Sequence, residues 1–151
     1  MIVFRKKRIE LGEGYIIQYT IFENKYLGGI WVYNWKTILQ NRFHTHAFSS
    51  YAFLLSGEYV EEVIEDGKII AKTVNQWMKP RYIPKNYCHR ILKAKPNTWT
   101  IVFFGKWIEN WWEYFDDTKT WVKYGWGRKI ITKIKGDKSS IDILKEDGSI
   151  K

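Results

Sequence analysis

Three histidines, His44, His46 and His89, are the most chemically suggestive residues of the chain, and it contains no others. His44 and His46 are separated by one residue, and side chains two positions apart in a strand point to the same face of a sheet. His89 lies in a second strand-like run that follows Pro84. A polar ring in a dry interior needs a partner, and a divalent cation would be a common partner for three neutral imidazoles that converge on it. The pattern predicts a metal site, and two exposed histidines on a solvent face are the alternative for the triplet alone.

Arg42 adds a cation to this predicted site. Arg42 lies two residues before His44, so in a strand its guanidinium would project from the same face, beside the rings of His44 and His46. A planar guanidinium can bind a carboxylate or a phosphate through two parallel hydrogen bonds. We therefore expect a small anionic molecule as the partner of the site. Ser50 and Tyr82 are further candidate substrate-binding residues, although core packing would also explain Tyr82.

No residue stands out from the sequence as a general acid or base. Glu61 and Glu62 are adjacent, so in a strand they face opposite ways and one of them could point inward. Exposed carboxylates on a hairpin are the interpretation that the sequence favours for this pair.

Alternation of apolar and polar residues dominates the chain and predicts many short strands. Residues 40–46 are one of these predicted strands, and Asp66 and Gly67 form a dipeptide suited to a tight hairpin turn. Residues 109–114 are compatible with either a short helix or a strand. Short strands with regular turns indicate an all-β fold, which means a barrel, a sandwich or a jelly roll.

The composition is that of a folded domain with a strongly basic surface. The chain has 151 residues, of which 45% are hydrophobic and 18% aromatic, which excludes a disordered protein. Its net charge of +9 favours anionic partners such as nucleic acid, phosphate, acidic sugars or carboxylates. Nucleic-acid binding ranks last among the candidate functions because no stripe of alternating basic and aromatic residues is visible. The densest basic run, residues 5–8, is expected to be a solvated edge strand, with an anion-binding patch as the alternative.

The cellular setting is predicted from what the sequence lacks. A single cysteine, Cys88, excludes an internal disulfide, and no apolar run reaches the length of a signal peptide or a membrane span. We expect a soluble cytoplasmic protein without membrane contact. Cys88 is adjacent to His89, so it should point away from the metal-binding face and pack as a small buried hydrophobe.

A single domain is expected over residues 1–151. It comprises a metal-motif core at about 38–104, an aromatic-rich segment at 105–127 and a basic C-terminal hairpin or tail at 128–151. The aromatic segment contains five tryptophans, for which packing against the barrel wall or a homodimer partner is favoured over a stacking platform or a lid. The tryptophans are the following: Trp107, Trp111, Trp112, Trp121 and Trp126.

Residues 38–104 resemble the cupin superfamily. In the first cupin motif, His44, His46 and Gly57 occupy the positions of the two histidines and the closing glycine, while Ser50 stands where the usual glutamate ligand would be. In the second motif, His89 matches the histidine, and Asn86 replaces a glycine. More narrowly, residues 42–46, 54–59 and 98–102 resemble a group of small bacterial and phage cupins, from which no activity can be transferred.

The resemblance implies a cupin-type β-barrel, that is, a double-stranded β-helix or jelly roll, with short helical or hairpin additions. It also implies that His44, His46 and His89 are the ligands of a divalent transition metal, with iron, zinc, nickel and manganese all suitable. A three-histidine site is similar to the iron site of cupin thiol dioxygenases, and cupin sugar isomerases and epimerases are another candidate class. The leading hypothesis is therefore a metal-dependent oxygenase or isomerase of a small anionic substrate. A non-catalytic ligand-binding module is the alternative, and a nucleic-acid-binding protein is the third.

Overall fold

The structure, a computed structural model, describes residues 1–11, 14–36, 42–108 and 110–141. Over these residues it contains twelve β-strands and two short 3₁₀ turns, at Trp126–Arg128 and Lys138–Ser140. The strands are β1 Ile2–Leu11, β2 Gly14–Asn24, β3 Gly28–Trp35, β4 Ser50–Ser56, β5 Tyr59–Glu65, β6 Lys68–Val74, β7 Arg81–Ile83, β8 His89–Ala94, β9 Thr98–Phe104, β10 Trp111–Phe115, β11 Thr120–Tyr124 and β12 Ile130–Lys135. The predicted all-β class is confirmed.

Six of the strands form one antiparallel sheet in the order β1-β2-β3-β9-β4-β7. Its inner face is aromatic and apolar, because alternate residues of each strand turn the same way. On β3 these are Trp31, Tyr33 and Trp35, which lie opposite Thr20, Gln18 and Ile16 of β2. Strand β1 is an edge strand, and its basic residues 5–8 are all exposed, as the sequence predicts.

The second layer consists of two three-stranded sheets, β6-β5-β8 and β10-β11-β12, which residues 43–45 join. On one side, the His44 N–H donates to the His89 carbonyl at 2.9 Å and the His89 N–H donates back at 3.1 Å. On the other side, the Thr45 N–H donates to the Trp112 carbonyl, and the Tyr114 N–H donates to the Phe43 carbonyl, both at 2.9 Å. Residues 43–45 therefore fill the place of a strand between β8 and β10.

Two apolar clusters hold the layers together. Ile16 and Trp35 of the six-stranded sheet pack with Tyr59 and Ile91 of the second layer. The second cluster lies behind residues 43–45, where Phe43 packs with residues of β5, β10 and β11. Its fully buried large side chains include Phe43, Trp112, Tyr114 and Trp121.

Three local predictions can be compared with these elements. The strand expected over residues 40–46 is reduced to bridges at His44, and residues 40 and 41 lie outside the described residues. Residues 111–114 of the uncertain segment belong to strand β10, while residue 109 is outside the described residues. In the segment expected to be a C-terminal hairpin or tail, β12 pairs with the preceding strand β11, and residues 138–140 form a 3₁₀ turn. Residues 142–151 are outside the described residues.

No helix over the described ranges has both the length and the apolar character that a membrane crossing requires.

Candidate metal centre

The rings of His44, His46 and His89 converge on a common point. Their centroids lie 4.9–5.1 Å apart, and one ligand nitrogen from each ring lies within 4.8 Å of the other two. The Nε2 atoms of His46 and His89 are 3.2 Å apart. Two imidazoles that bind one zinc-sized ion at about 2.0–2.1 Å would place their nitrogens roughly 2.9–3.4 Å apart. The donor set therefore fits a single divalent metal ion.

Backbone hydrogen bonds position each of the three candidate ligands. His44 is held between β8 and β10 by residues 43–45, and His89 is the first residue of β8. The His46 N–H donates to the Lys85 carbonyl at 2.9 Å, in the loop that leads to His89. This loop closes on itself where the Tyr87 N–H donates to the Pro84 carbonyl at 2.9 Å. The spacing of two between His44 and His46 thus brings both rings to one side, although only His44 has strand pairing.

Hydrogen bonds behind the rings determine which nitrogens face the centre. His44 Nδ1 lies 2.9 Å from the Arg42 carbonyl, which can only accept, so Nδ1 carries the proton and Nε2 keeps its lone pair. His89 Nδ1 lies 2.7 Å from Glu61 Oε2, which fixes the same tautomer. His46 Nδ1 is buried without a hydrogen-bond partner among the described residues, and its Nε2 faces that of His89. The rings of His44 and His89 therefore keep Nε2 lone pairs for the centre, and His46 directs its Nε2 toward that of His89.

Burial keeps the rings of His44 and His46 in the neutral form that can bind a metal. Desolvation, together with repulsion from His89, lowers the pKa of His44 from 6.5 to about 4, although the Arg42 carbonyl and Glu61 oppose this shift. Desolvation also holds the pKa of His46 well below 6.5, and repulsion from His89 and His44 adds to it. Both rings are therefore unprotonated at neutral pH.

Glu61 stands directly behind His89, a position that the sequence did not favour. The residue is fully buried, and its Oε1 accepts hydrogen bonds from Arg81 and, at 3.0 Å, from the Tyr87 hydroxyl. Burial opposes ionisation, but the hydrogen bond and charge of His89, together with Arg81 and Tyr87, outweigh it and lower the pKa of Glu61. The sequence feature that indicates this inward position is the spacing of two residues from Tyr59 and from Val63, which are on the inward face of β5.

The histidine rings open on a cavity of about 710 Å³ between the two layers. Its walls are largely aromatic and aliphatic, and they include Trp31, Tyr33, Trp35, Phe48, Ile91 and Val102. Polar groups of the same cavity include Ser50, Tyr59 and Thr100, and charged ones include Arg42, Glu113 and Arg128. The cavity therefore combines an apolar body with a polar end at the histidines.

Glu113 is a second carboxylate that sequence reasoning missed. It bridges His44 on the side opposite His89, so its side chain projects from the same face and lines the cavity. Arg128 donates to its two carboxylate oxygens at 3.0 and 3.2 Å. Arg128 has a backbone φ of 58°, a left-handed conformation that non-glycine residues seldom adopt. The partnership depends on pairing between distant segments, so no local pattern in the sequence indicates it.

The structure brings two of the three predicted substrate-binding residues to the cavity. Arg42 and Ser50 both line it, and Ser50 is only 5% exposed. Tyr82 does not belong to its lining and is 57% exposed, against Tyr51 at a ring distance of 5.1 Å. The reason is that side chains alternate between the two faces of β7, where Ile83 turns inward to the cavity and Tyr82 turns outward. The prediction that Tyr82 binds substrate has no support from this position.

The tryptophans of the aromatic segment pack against the protein rather than forming the cavity wall that the structure describes. Trp112 and Trp121 are fully buried in the cluster around Phe43, which also contains Cys88. Trp107 and Trp111 pack against the small cluster around Phe48, and Trp126 is half exposed. The packing interpretation therefore holds for four of the five, and Cys88 lies away from the metal ligands as expected.

Comparison with known proteins finds likeness only at the level of structure. No protein-family model and no curated protein matches the chain. The capsular polysaccharide assembling protein CapF from Staphylococcus aureus matches with a TM-score of 0.53 and 16% identity, over 77% of this chain and 31% of CapF. Oxalate decarboxylase from Bacillus subtilis matches with a TM-score of 0.52 and 16% identity, over 70% of this chain and 28% of the enzyme.

Hydroxypropylphosphonic acid epoxidase from S. wedmorenis matches with a TM-score of 0.50 and 14% identity, over 69% of this chain and 59% of the epoxidase. The chain thus spans less than a third of the length of CapF and of the decarboxylase. Likeness at this level of identity establishes a shared fold.

Proposed function

We propose that this chain, which has the cupin fold, uses His44, His46 and His89 to hold one divalent transition metal ion, beside which a small anionic molecule binds. The metal assignment depends on one observation above all. Three rings from two distant segments meet, and two of them have Nδ1 bonded to an acceptor, so their Nε2 lone pairs are free for the centre. Buried lone pairs without a common partner would be costly.

The proposal of an anionic ligand follows from the charges of the site. An ion held by three neutral imidazoles keeps its double positive charge and supplies Lewis acidity to an anionic oxygen. Arg42 lines the same cavity and forms no ion pair with the carboxylates that the structure describes, so its guanidinium is available for a ligand. Among the carboxylates of the cavity, Glu113 pairs with Arg128, Asp116 with Lys138 and Glu10 with Arg8, whereas no ion pair is described for Asp117.

The walls of the cavity support a compact ligand with an apolar or cyclic part. Trp31 and Trp35 offer ring surfaces, while Ser50 and Arg42 offer hydrogen-bond donors. Two of the structurally similar enzymes are named for small acids, oxalate and hydroxypropylphosphonic acid. By analogy, we propose chemistry of the oxygenase or isomerase type on a carboxylate or phosphonate-like substrate.

Glu113 is the residue that we propose as the proton donor or acceptor. It lies beside His44 on the cavity face, and Arg128 holds both of its oxygens. Glu61, by contrast, is fully engaged behind His89, and the pKa of Tyr59 is raised by burial to about 12, so neither is well suited to exchange a proton at neutral pH.

Metal analysis of protein purified without an affinity tag tests the proposal. We expect about one equivalent of a transition metal per chain, either as isolated or after reconstitution of the apo protein. Less than roughly a tenth of an equivalent in both preparations would remove the metal assignment. An activity screen then uses oxalate, other small carboxylates and phosphonates, with Glu113→Gln as the variant expected to lose turnover while it keeps the metal.

A non-catalytic ligand-binding module is the second candidate function. It is favoured by the pairing of Glu113 with Arg128, since a carboxylate held by both oxygens is a poor base until the pair opens. This candidate predicts that acetate or inorganic phosphate changes the absorption spectrum of the cobalt-loaded protein, while no tested substrate is converted.

A further inference from the structure

We propose that Glu61 is a positioning residue of the metal centre, which acts through His89, and that Arg81 and Tyr87 hold it in place. The inference rests on the proposed function, because it concerns how the three-histidine site is kept ready for its ion. It assigns a role to a buried cluster of charged and aromatic residues that the binding of metal and anion does not otherwise use.

The contact between Glu61 and His89 determines both the direction and the tautomer of one ligand. Glu61 Oε2 lies 2.7 Å from His89 Nδ1, and the carboxylate is fully buried. Strand pairing sets this contact, because Val63 of β5 lies opposite His89 of β8 and Glu61 lies two residues away on the same face. A hydrogen bond from Nδ1 to a carboxylate keeps the Nε2 lone pair directed at the ion and raises its basicity.

The other oxygen of Glu61 is held by two donors from different parts of the chain. Arg81 donates through one terminal guanidinium nitrogen, and the Tyr87 hydroxyl donates at 3.0 Å. With His89, the carboxylate has donors on both oxygens, which is what an ionised group needs when it is removed from water. Glu61 is therefore restrained from two sides and has little freedom to rotate.

Arg81 also connects this cluster to the cavity. It belongs to β7 of the six-stranded sheet, whereas Glu61 belongs to β5 of the second layer, so the guanidinium crosses the interior. Its second terminal nitrogen donates to the hydroxyl of Tyr59, which lines the cavity. The two nitrogens of one planar group thus hold Glu61 and Tyr59 together, a geometry that lysine cannot reproduce.

Strand β5 supplies a matched control. Glu62 is the next residue, faces the opposite way and forms its ion pair with Arg90 at 2.6 Å. Glu61→Gln and Glu62→Gln therefore remove the same charge from the same strand, one behind the metal ligand and the other away from it. Arg81→Lys tests the cross-layer contact with the total charge unchanged.

The experiment measures Co²⁺ affinity of the apo proteins by competition with a chromophoric chelator, together with the visible spectrum of bound Co²⁺. We expect Glu61→Gln to bind Co²⁺ about 10–100-fold more weakly and to change the spectrum, Arg81→Lys to show a smaller loss, and Glu62→Gln to match the wild type. Thermal unfolding of each apo protein shows whether the fold is retained.

The outcomes separate this inference from the proposed function. If the wild type binds no Co²⁺, the proposed metal site fails; if it binds and Glu61→Gln binds equally well with the same spectrum, the role of Glu61 fails. If Glu61→Gln does not fold, the double variant Glu61→Gln/Arg81→Gln replaces it, because this variant also removes the guanidinium left without its partner. A Co²⁺ affinity of the double variant equal to that of the wild type would also overturn the inference. Nitrogen NMR of the zinc-loaded wild type gives an independent check, since the proton of His89 must reside on Nδ1.

Discussion

The polar side chains around the histidines form a buried group behind His89 and a more exposed group at the rim of the cavity, and the two groups are held in different ways. At the histidine end, the ligands come from paired backbone, and Glu61 and His89 are buried and bonded to each other. At the rim, Arg128 is exposed and pairs with Glu113, which belongs to the short strand β10. Buried charges interact strongly because little water screens them, whereas exposed ion pairs contribute little to stability. The comparison predicts large, salt-insensitive effects for the buried group and small, salt-sensitive effects for the exposed group.

Removal of a ligand should have the largest effect. We expect His46→Ala and His89→Ala each to abolish metal loading, because two remaining imidazoles cannot hold the ion against exchange with water. Cys88→Ala removes a buried residue next to His89 that faces the other way and serves as the control. Metal content by mass spectrometry gives the result, and equal loading in all three variants would contradict the assignment.

Acid should destabilise the apo protein through the same end of the cavity. In the unfolded chain a histidine takes up a proton below pH 6.5, whereas in the folded protein His44 does so only near pH 4. The contribution of His44 to the free energy of unfolding is therefore complete above pH 6.5 and is lost as the pH falls toward 4. The displacement of the His44 pKa corresponds to roughly 3 kcal/mol. Chemical denaturation at a series of pH values measures this loss. A His44→Gln variant should lose less over the same range, and an identical slope would contradict the prediction.

At the rim, loss of Arg42 should weaken anion binding only a few-fold. Its guanidinium is exposed and contacts the ring of Phe115 at 4.2 Å, so much of its attraction for an anion is screened. Titration of cobalt-loaded Arg42→Gln with inorganic phosphate measures the change, which should shrink further as salt is added. An effect as large as that of a lost histidine, or one that salt does not alter, would mean that the rim behaves like the buried end.

The smallest effect is expected for the ion pair between Arg128 and Glu113. Arg128→Gln should change the free energy of unfolding by about 0–1 kcal/mol, because the arginine is largely exposed. Thermal unfolding measures it, with Glu113→Gln as the companion variant. A loss well above this range would show that the pair supports β10 as well as the cavity.

The sequence predicts the ligands better than their surroundings. The spacing of His44 and His46 indicates a shared face, and the resemblance of residues 84–89 to a known motif adds His89. An inward position of Glu61 was considered but not favoured, because a carboxylate in an alternating strand is usually solvent-facing. Its donors Arg81 and Tyr87 lie on other segments. Contacts of this kind depend on which strands meet, and local periodicity does not encode that.

Alternation of side chains along the strands explains both the success of the fold prediction and the outward position of the candidate site residue Tyr82. Alternation identifies the strands and hence the all-β class, but it assigns a face only when the bounds and the bends of a strand are known. On β7, which has three residues, Tyr82 faces outward and Ile83 faces inward. The order of the strands in the large sheet, with β9 between β3 and β4, follows from pairing across distant parts of the chain.

The joining role of residues 43–45 has a consequence for when the proposed metal site can form during synthesis. Their backbone partners, His89 and the β10 residues, emerge from the ribosome after them. A nascent chain that already carries His44 and His46 still lacks the third ring and the backbone that holds the first one. The proposed metal site is thus complete only after translation has passed β10, and a shorter nascent chain lacks part of the backbone that positions His44.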